Sequence, residues 1–280
     1  MELMLELGDG YSAMAAIESL SEDDLSRDQR RTAMAHAFIL QGKPENAVTL
    51  FDGTAPEQLS EREAYLRLWA LSELDDMERL EPGMDLALET YPDSAPLNAL
   101  AAHKLVELGL PEEAMSFAQK ALAADPKHYE TRIVLGEIAL REGEPEKALA
   151  SYIEASRIKP EQPTPLAVIA GIQLDLERYE EAGQTIDRAM KQHPEMPFLV
   201  WQKARHALAT GDLETARRTG EEARRTFRGN DEFTLFSAQL EEALGNRILA
   251  LAEYRRYLRA VGEDPDISAR IAALEGQAGG

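Results

Sequence analysis

The 280-residue chain begins MELMLELGDGYSA, so Gly8, Gly10 and Ala13 spell G-x-G-x-x-A just ahead of a helix-like run. The backbone N–H groups of such a loop can hold a pyrophosphate, given a strand before it, a helix after it and an acidic residue about 20 positions on. Other residues with chemical potential are few. His36, His103, His128, His193 and His206 include no pair four residues apart, and no H-E-x-x-H or G-x-S-x-G pattern occurs. The acidic runs Glu22-Asp23-Asp24 and Glu61-Arg62-Glu63 hold donors for a divalent cation, yet negative charge at a helix start is what the helix dipole favours. The stretch RRTGEEARRTFRGN (217–230), extended by Arg255, Arg256 and Arg259, has the composition of an anion patch. Glu214 precedes Arg218 by four and Glu221 precedes Arg225 by four, so pairing along one helix face accounts for it. With no cysteine, thiolate metal sites and disulfides are excluded. No catalysis, cofactor or metal is expected.

The net charge of -21 is unevenly spread: residues 197–262 hold 11 Lys/Arg against 9 Asp/Glu, and the acidity is concentrated before them. A body this acidic repels phosphate backbones and anionic lipid, whose binding depends on neutralising negative charge. Nucleic acid is therefore not an expected partner, whereas a basic protein surface is. No apolar run reaches the roughly 18–20 residues that span a bilayer, and the N-terminus lacks the pattern of a secretory signal. The expectation is a soluble chain without membrane insertion, in the cytoplasm or the periplasm.

What positions these residues is a repeat. Gly8-DGYS-Ala13 is echoed by Gly42-KPEN-Ala47, Gly109-LPEE-Ala114, Gly143-EPEK-Ala148, Gly211-DLET-Ala216 and Gly245-NRIL-Ala250. Degenerate copies at Asp75-DMER-Leu80 and Glu177-RYEE-Ala182 fill the gaps. The alanine position advances by 34 residues at every step but one of 33, and Pro92, Pro126, Pro160 and Pro194 keep the same period. The opening motif is thus a turn, with glycine at its third position only once. MELMLEL before it reads as a helix end.

In the clean copy 129–162, Ile133, Leu135, Gly136, Ala139 and Leu140 recur at helical spacing, and Ala148, Tyr152, Ala155 and Ile158 do so again. Gly143 between them suits the left-handed residue that closes a helix, Pro145 suits the first turn of the next, and Pro160 stops it. Gly136 and Ala148 are small, which lets two antiparallel helices approach closely.

On Leu135, Gly136, Ala139, Ala148, Tyr152, Ala155 and Pro160 the chain resembles the tetratricopeptide repeat family. The copy at 95–128 matches with Ala101, Ala102, Leu105, Ala114, Ala118, Ala121 and Pro126; that at 231–262 matches with Ser237, Ala238, Ala250, Tyr254 and Tyr257. Departures are Leu80 in place of a small packing residue and Glu177 in place of the turn glycine. The resemblance implies an all-α, right-handed α-solenoid of antiparallel helix hairpins. Its expected organisation is an incomplete hairpin at 1–27, seven tandem units over 28–262 starting near 28, 61, 95, 129, 163, 197 and 231, and a capping helix with a tail at 263–280. Ile267, Ile271 and Leu274 should face inward from that cap. By phase the first helix of the opening unit would start about seven residues before Met1, which reads as a piece of a longer repeat protein or as a start on a shortened helix.

In this family the first helices line a concave groove and present their second, fifth, ninth and twelfth residues to it. That implies partner contacts at Arg62, Tyr65, Trp69, His103, Val106, Ile133, Glu137, Leu140, Phe198, Trp201 and Arg205, with packing between hairpins the other reading of Trp201. The lysines and asparagines of a carboxylate clamp are missing there. The expected function is a scaffold that binds a basic or amphipathic protein segment, within a bacterial assembly or secretion system such as exopolysaccharide export. Two other readings stand beside it: a regulatory or substrate-recruiting arm of a larger enzyme such as a glycosyltransferase, and a self-association module forming homo-oligomers.

Overall fold

The computed structural model describes residues 1–6, 8–21 and 23–276, and among these are 17 α-helices and no strand. Glu22 of the first acidic run and residues 277–280 of the expected tail lie outside them. The chain forms two compact units, residues 1–161 and 162–280.

The first unit runs α1 (Glu2–Glu6), α2 (Gly10–Ser19), α3 (Arg27–Leu40), α4 (Pro44–Thr49), α5 (Glu61–Glu73), α6 (Met77–Thr90), α7 (Ala95–Glu107), α8 (Pro111–Ala124), α9 (Tyr129–Arg141) and α10 (Pro145–Ile158). Each odd helix from α3 to α9 packs against the even helix that follows it, and α3, α5, α7 and α9 pack side by side in turn. The second unit runs α11 (Thr164–Asp175), α12 (Tyr179–Met190), α13 (Pro197–Thr210), α14 (Leu213–Phe227), α15 (Asp231–Ala243), α16 (Arg247–Val261) and α17 (Pro265–Gly276). Its hairpins are α11/α12, α13/α14 and α15/α16, and α17 packs on α16. Leu274 is buried against Ala238, Ala250 and Tyr254, with Ile267 and Ile271 beside it.

Both glycines of the opening motif have a mechanical explanation. Gly8 takes a left-handed φ of +78° between α1 and α2. A Cβ on Gly10 would lie 2.6 Å from the Ala37 carbonyl oxygen and 2.8 Å from Leu40, so Gly10 is where α2 touches α3. A helix precedes the loop where a phosphate-binding motif needs a strand.

The turns inside the hairpins share one hydrogen-bond pattern. After α9, Gly143 N–H donates to Leu140 O (3.1 Å) and Glu144 N–H to Ala139 O (2.8 Å), the paired bonds of a Schellman motif. Gly143 has φ +71° and Pro145 opens α10. The same pair forms where glycine is missing. Asp75 and Asp76 donate to Ser72 and Leu71, and Glu177 and Arg178 donate to Leu174 and Gln173. The hairpin geometry therefore forces Asp75 to φ +51° and Glu177 to φ +58°. That conformation costs an L-residue about 1–2 kcal/mol, and Asp tolerates it better than Glu. Part of the gain from glycine is offset by the extra freedom of the unfolded chain. Glu177→Gly should therefore stabilise the second unit by about 0.5–1 kcal/mol, read as a higher urea midpoint of Trp201 fluorescence; a lower midpoint would mean the turn is unstrained.

Two hairpins depart from the regular form. α4 is six residues long because Asp52-Gly53-Thr54-Ala55-Pro56 follows it, and Gly and Pro break the helix there. Phe51, fully buried, anchors the shortened end in the core beside Val48, Leu66 and Leu80. In α6 the expected small residue is Leu80, and the close approach has moved to Gly83, whose Cβ would lie 2.9 Å from Leu68 of α5.

Candidate functional site

The first helices of the first unit bring four side chains of α3 and α5 together. Arg62 extends Nη2 to within 3.2 Å of His36 Nδ1 and holds its guanidinium 5.5 Å from the centre of the Tyr65 ring. Trp69 lies one helical turn from Tyr65 with ring centres 5.8 Å apart, and His36 is 5.8 Å from Trp69 on its other side. Trp69 Nε1–H donates to Glu73 at 3.1 Å. Burial lowers the His36 imidazole to about 4, reinforced by the Arg62 charge, so at neutral pH the ring is uncharged and its Nδ1 can accept from Arg62. Burial raises the Tyr65 phenol, and the nearby Glu130 carboxylate raises it further.

The two neighbouring helices carry charge to the same face. His103 of α7 bonds Glu137 of α9 through Nδ1 at 3.1 Å and approaches Glu107 at 3.5 Å. The Glu137 bond raises the imidazole above its ordinary value against the opposing effect of burial. At the start of α9, burial pushes the Glu130 carboxyl up, but Lys159 at 3.0 Å outweighs it and holds the group below the usual range. The charges of Glu130 and Lys159 act on His36, three helices away. α3, α5, α7 and α9 lie side by side and share one face. A cavity of about 690 Å³ opens at its α3 end, with His36, Arg62, Ser60 and Tyr91 on the wall.

In the second unit Phe198 is exposed at the start of α13, its ring 6.0 Å from Phe227. Arg205 is tied to Asp175 by an ion pair and to Gln202 by a 3.0 Å hydrogen bond.

Residues 105–150 and 139–202, which include the turns at Gly109, Gly143 and Glu177, match a family model described as tetratricopeptide repeat. These are tetratricopeptide repeats. No curated protein matches the chain in sequence. Among solved structures, Pseudomonas aeruginosa pilF is similar with a TM-score of 0.63 at 17% identity, over 76% of this chain and 97% of that one. A tetratricopeptide repeat protein from Parabacteroides merdae is similar with a TM-score of 0.56 at 12% identity, over 88% and 98% of the two chains. The APC/C hetero-tetramer Cut9-Hcn1 gives 0.70 at 15% identity over 94% of this chain, which spans 52% of the chain it matches. At these identities the likeness concerns the fold.

Within the tetratricopeptide frame, two of the expected contact residues are corrected by burial. Val106 is 3% exposed and packs with Ala102, Val134 and Ile138. Trp201 is also 3% exposed, enclosed by Phe227, Phe233 and Phe236 with ring centres 5.1–5.8 Å away. Both positions face neighbouring helices, so neither is free to touch a ligand. Arg62, Tyr65, Trp69, His103, Ile133, Glu137 and Leu140 of the first unit retain surface, as do Phe198 and Arg205 of the second. Sequence reasoning passed over His36 and Glu130. Each stands at the repeat position of a residue that was singled out, His36 matching Trp69 and Glu130 matching Arg62, so the register alone held the signal.

Among the described residues, no group of three or more His, Asp or Glu is placed to hold a metal ion. No helix among them is long and apolar enough to cross a membrane.

Proposed function

We propose that the chain is a non-catalytic scaffold that holds a basic or amphipathic protein segment on the shared face of α3, α5, α7 and α9. One observation carries this reading: half-buried Tyr65 and Trp69 lie ring against ring with Arg62 over Tyr65, while Glu73, Glu107 and Glu137 rim the same face. Aromatic anchors supply most of the binding energy at such surfaces, and a carboxylate rim selects a cationic partner and speeds its arrival. The fold supports a helix or extended strand as the bound form. A place in a bacterial assembly or secretion machine is part of the proposal, and its support is the architecture shared with pilF and with a chain of the Cut9-Hcn1 assembly.

The test is capture by the full chain, by Tyr65→Ala/Trp69→Ala, and by Glu107→Lys/Glu137→Lys, with helicity checked by circular dichroism. Partners retained by the wild type should fall about ten-fold or more with each variant. The charge variant keeps both rings, so its failure separates lost recognition from lost packing. Equal yields from all three proteins would refute this face as the binding surface.

A further inference from the structure

The arginine run of residues 217–228 is arranged differently from its sequence pattern. Glu221, expected to pair with Arg225, bonds Arg217 at 3.2 Å instead. Arg224 and Arg225 project from the last turn of α14, and Arg228 follows directly. No ion pair or hydrogen bond of their side chains is found among the described residues. The three line one recess of about 640 Å³ with Arg256 of α16, floored by Phe233, Thr234 and Ser237 of α15. Glu253 is held by Arg256 at 3.5 Å. The hydroxyls of Thr234 and Ser237 donate to the carbonyls of Asn230 and Phe233, so they have no proton to give a ligand.

Cations in the last turn of a helix gain from its dipole. That accounts for Arg224 and Arg225 on α14. It does not account for the fourth guanidinium, which enters the same recess from another helix. Four guanidiniums facing two carboxylates leave an excess of positive charge around a concavity, in a chain whose net charge is -21. The planar fork of Arg matches a carboxylate through two parallel N–H···O bonds.

The geometry points to this recess as a second binding site, one that takes a short acidic peptide segment of a partner protein through its Asp and Glu side chains. It is separate from the proposed binding face of the first unit in residues, in unit and in charge, so the scaffold would hold two partners of opposite sign. A nucleic acid carries phosphates well beyond the recess, and a chain with a net charge of -21 repels each of them. An acidic segment of a few residues fits the recess and ends there.

Fluorescence anisotropy of a fluorescein-labelled hexaglutamate peptide with the full chain, at about 50 mM salt, tests the site. The wild type should bind, and Arg225→Glu/Arg228→Glu should weaken binding about ten-fold or more. Arg188→Glu/Lys191→Glu, which changes net charge equally on exposed residues outside the recess, should weaken it less than about two-fold. Binding of a hexalysine peptide, a probe for the first unit, should survive the recess variant. The inference is overturned if the wild type does not bind hexaglutamate or if both charge variants lose equally. It is also overturned if millimolar inorganic phosphate displaces the peptide completely. Sedimentation supplies a further arm: a wild-type dimer abolished by the recess variant would assign the recess to a second copy and overturn the proposal.

Discussion

Replacing Arg31 with methionine lowers the stability of the first unit by about 3 kcal/mol at pH 7, a deficit that shrinks as the solution is acidified. The cause is Glu63, whose carboxylate is buried where α5 begins. It accepts from Ser60 N–H (3.0 Å) and Ser60 Oγ (2.9 Å) as half of a capping box. Its other oxygen accepts from Arg31 Nε at 2.9 Å. Burial alone would push this carboxyl up; the Ser60 bonds and the Arg31 charge outweigh it and hold the group below its ordinary value. A depressed folded pKa contributes stability above the unfolded value of about 4.3 and loses it as pH falls through the folded value. Methionine keeps the aliphatic bulk of Arg31 and removes the charge, leaving a buried anion with only the cap bonds. The variant's carboxyl then takes up a proton at higher pH. Its shortfall is full at pH 7 and diminishes as pH falls through the variant's carboxyl titration, which comes at higher pH than that of the wild type. Urea denaturation followed by Trp69, in a Trp201→Phe background, isolates the first unit. An unchanged midpoint at pH 7, or an equal deficit at pH 7 and pH 4, would show that Arg31 does not hold Glu63 charged.

Gly136→Ala destabilises the same unit by about 2 kcal/mol, although alanine is the better helix former by about 1 kcal/mol. A Cβ at this position in α9 would lie 2.5, 2.7 and 2.8 Å from three atoms of the Tyr152 ring. Tyr152 is 3% exposed, and in a close-packed core its ring has little room to yield. Overpacking of a closed core costs about 1–3 kcal/mol, and at separations this short it exceeds the propensity gain. Tyr152→Leu removes the ring and should absorb most of the penalty, so the double mutant Gly136→Ala/Tyr152→Leu is more stable than additivity predicts. Strict additivity, or a Gly136→Ala protein more stable than wild type, would show that α9 and α10 are not in contact at this point.

The fold was legible because its instructions are local. A turn glycine with Pro two residues on, small residues at one face of each helix and a period of 34 act within a single hairpin. Gly143, Pro145 and Gly136 are placed as their chemistry requires. Even the degenerate turns obey, since Asp75 and Glu177 are bent into the glycine conformation by the same bond pair. The shortened α4 was written in Gly53 and Pro56, which the repeat count passed over. The move of the close approach from position 80 to Gly83 required knowing how α6 lies on α5.

Exposure is where sequence reasoning stopped. Trp69 and Trp201 both belong to first helices and both read as groove anchors, yet Trp69 keeps surface while Trp201 is enclosed by three phenylalanines from α14 and α15. Val106 and Leu140 share a repeat position, and one is buried while the other is exposed. Arginine pairing failed for a related reason. Glu221 has Arg217 and Arg225 at equal sequence distance, and long flexible side chains choose between such partners through their surroundings. Backbone conformation and helix periodicity depend on neighbours three or four residues away, so the chain's order alone determined that it is a row of helical hairpins. Burial, ion pairing and the meeting of Arg225 with Arg256 depend on atoms delivered by other helices, and only their packing decided those.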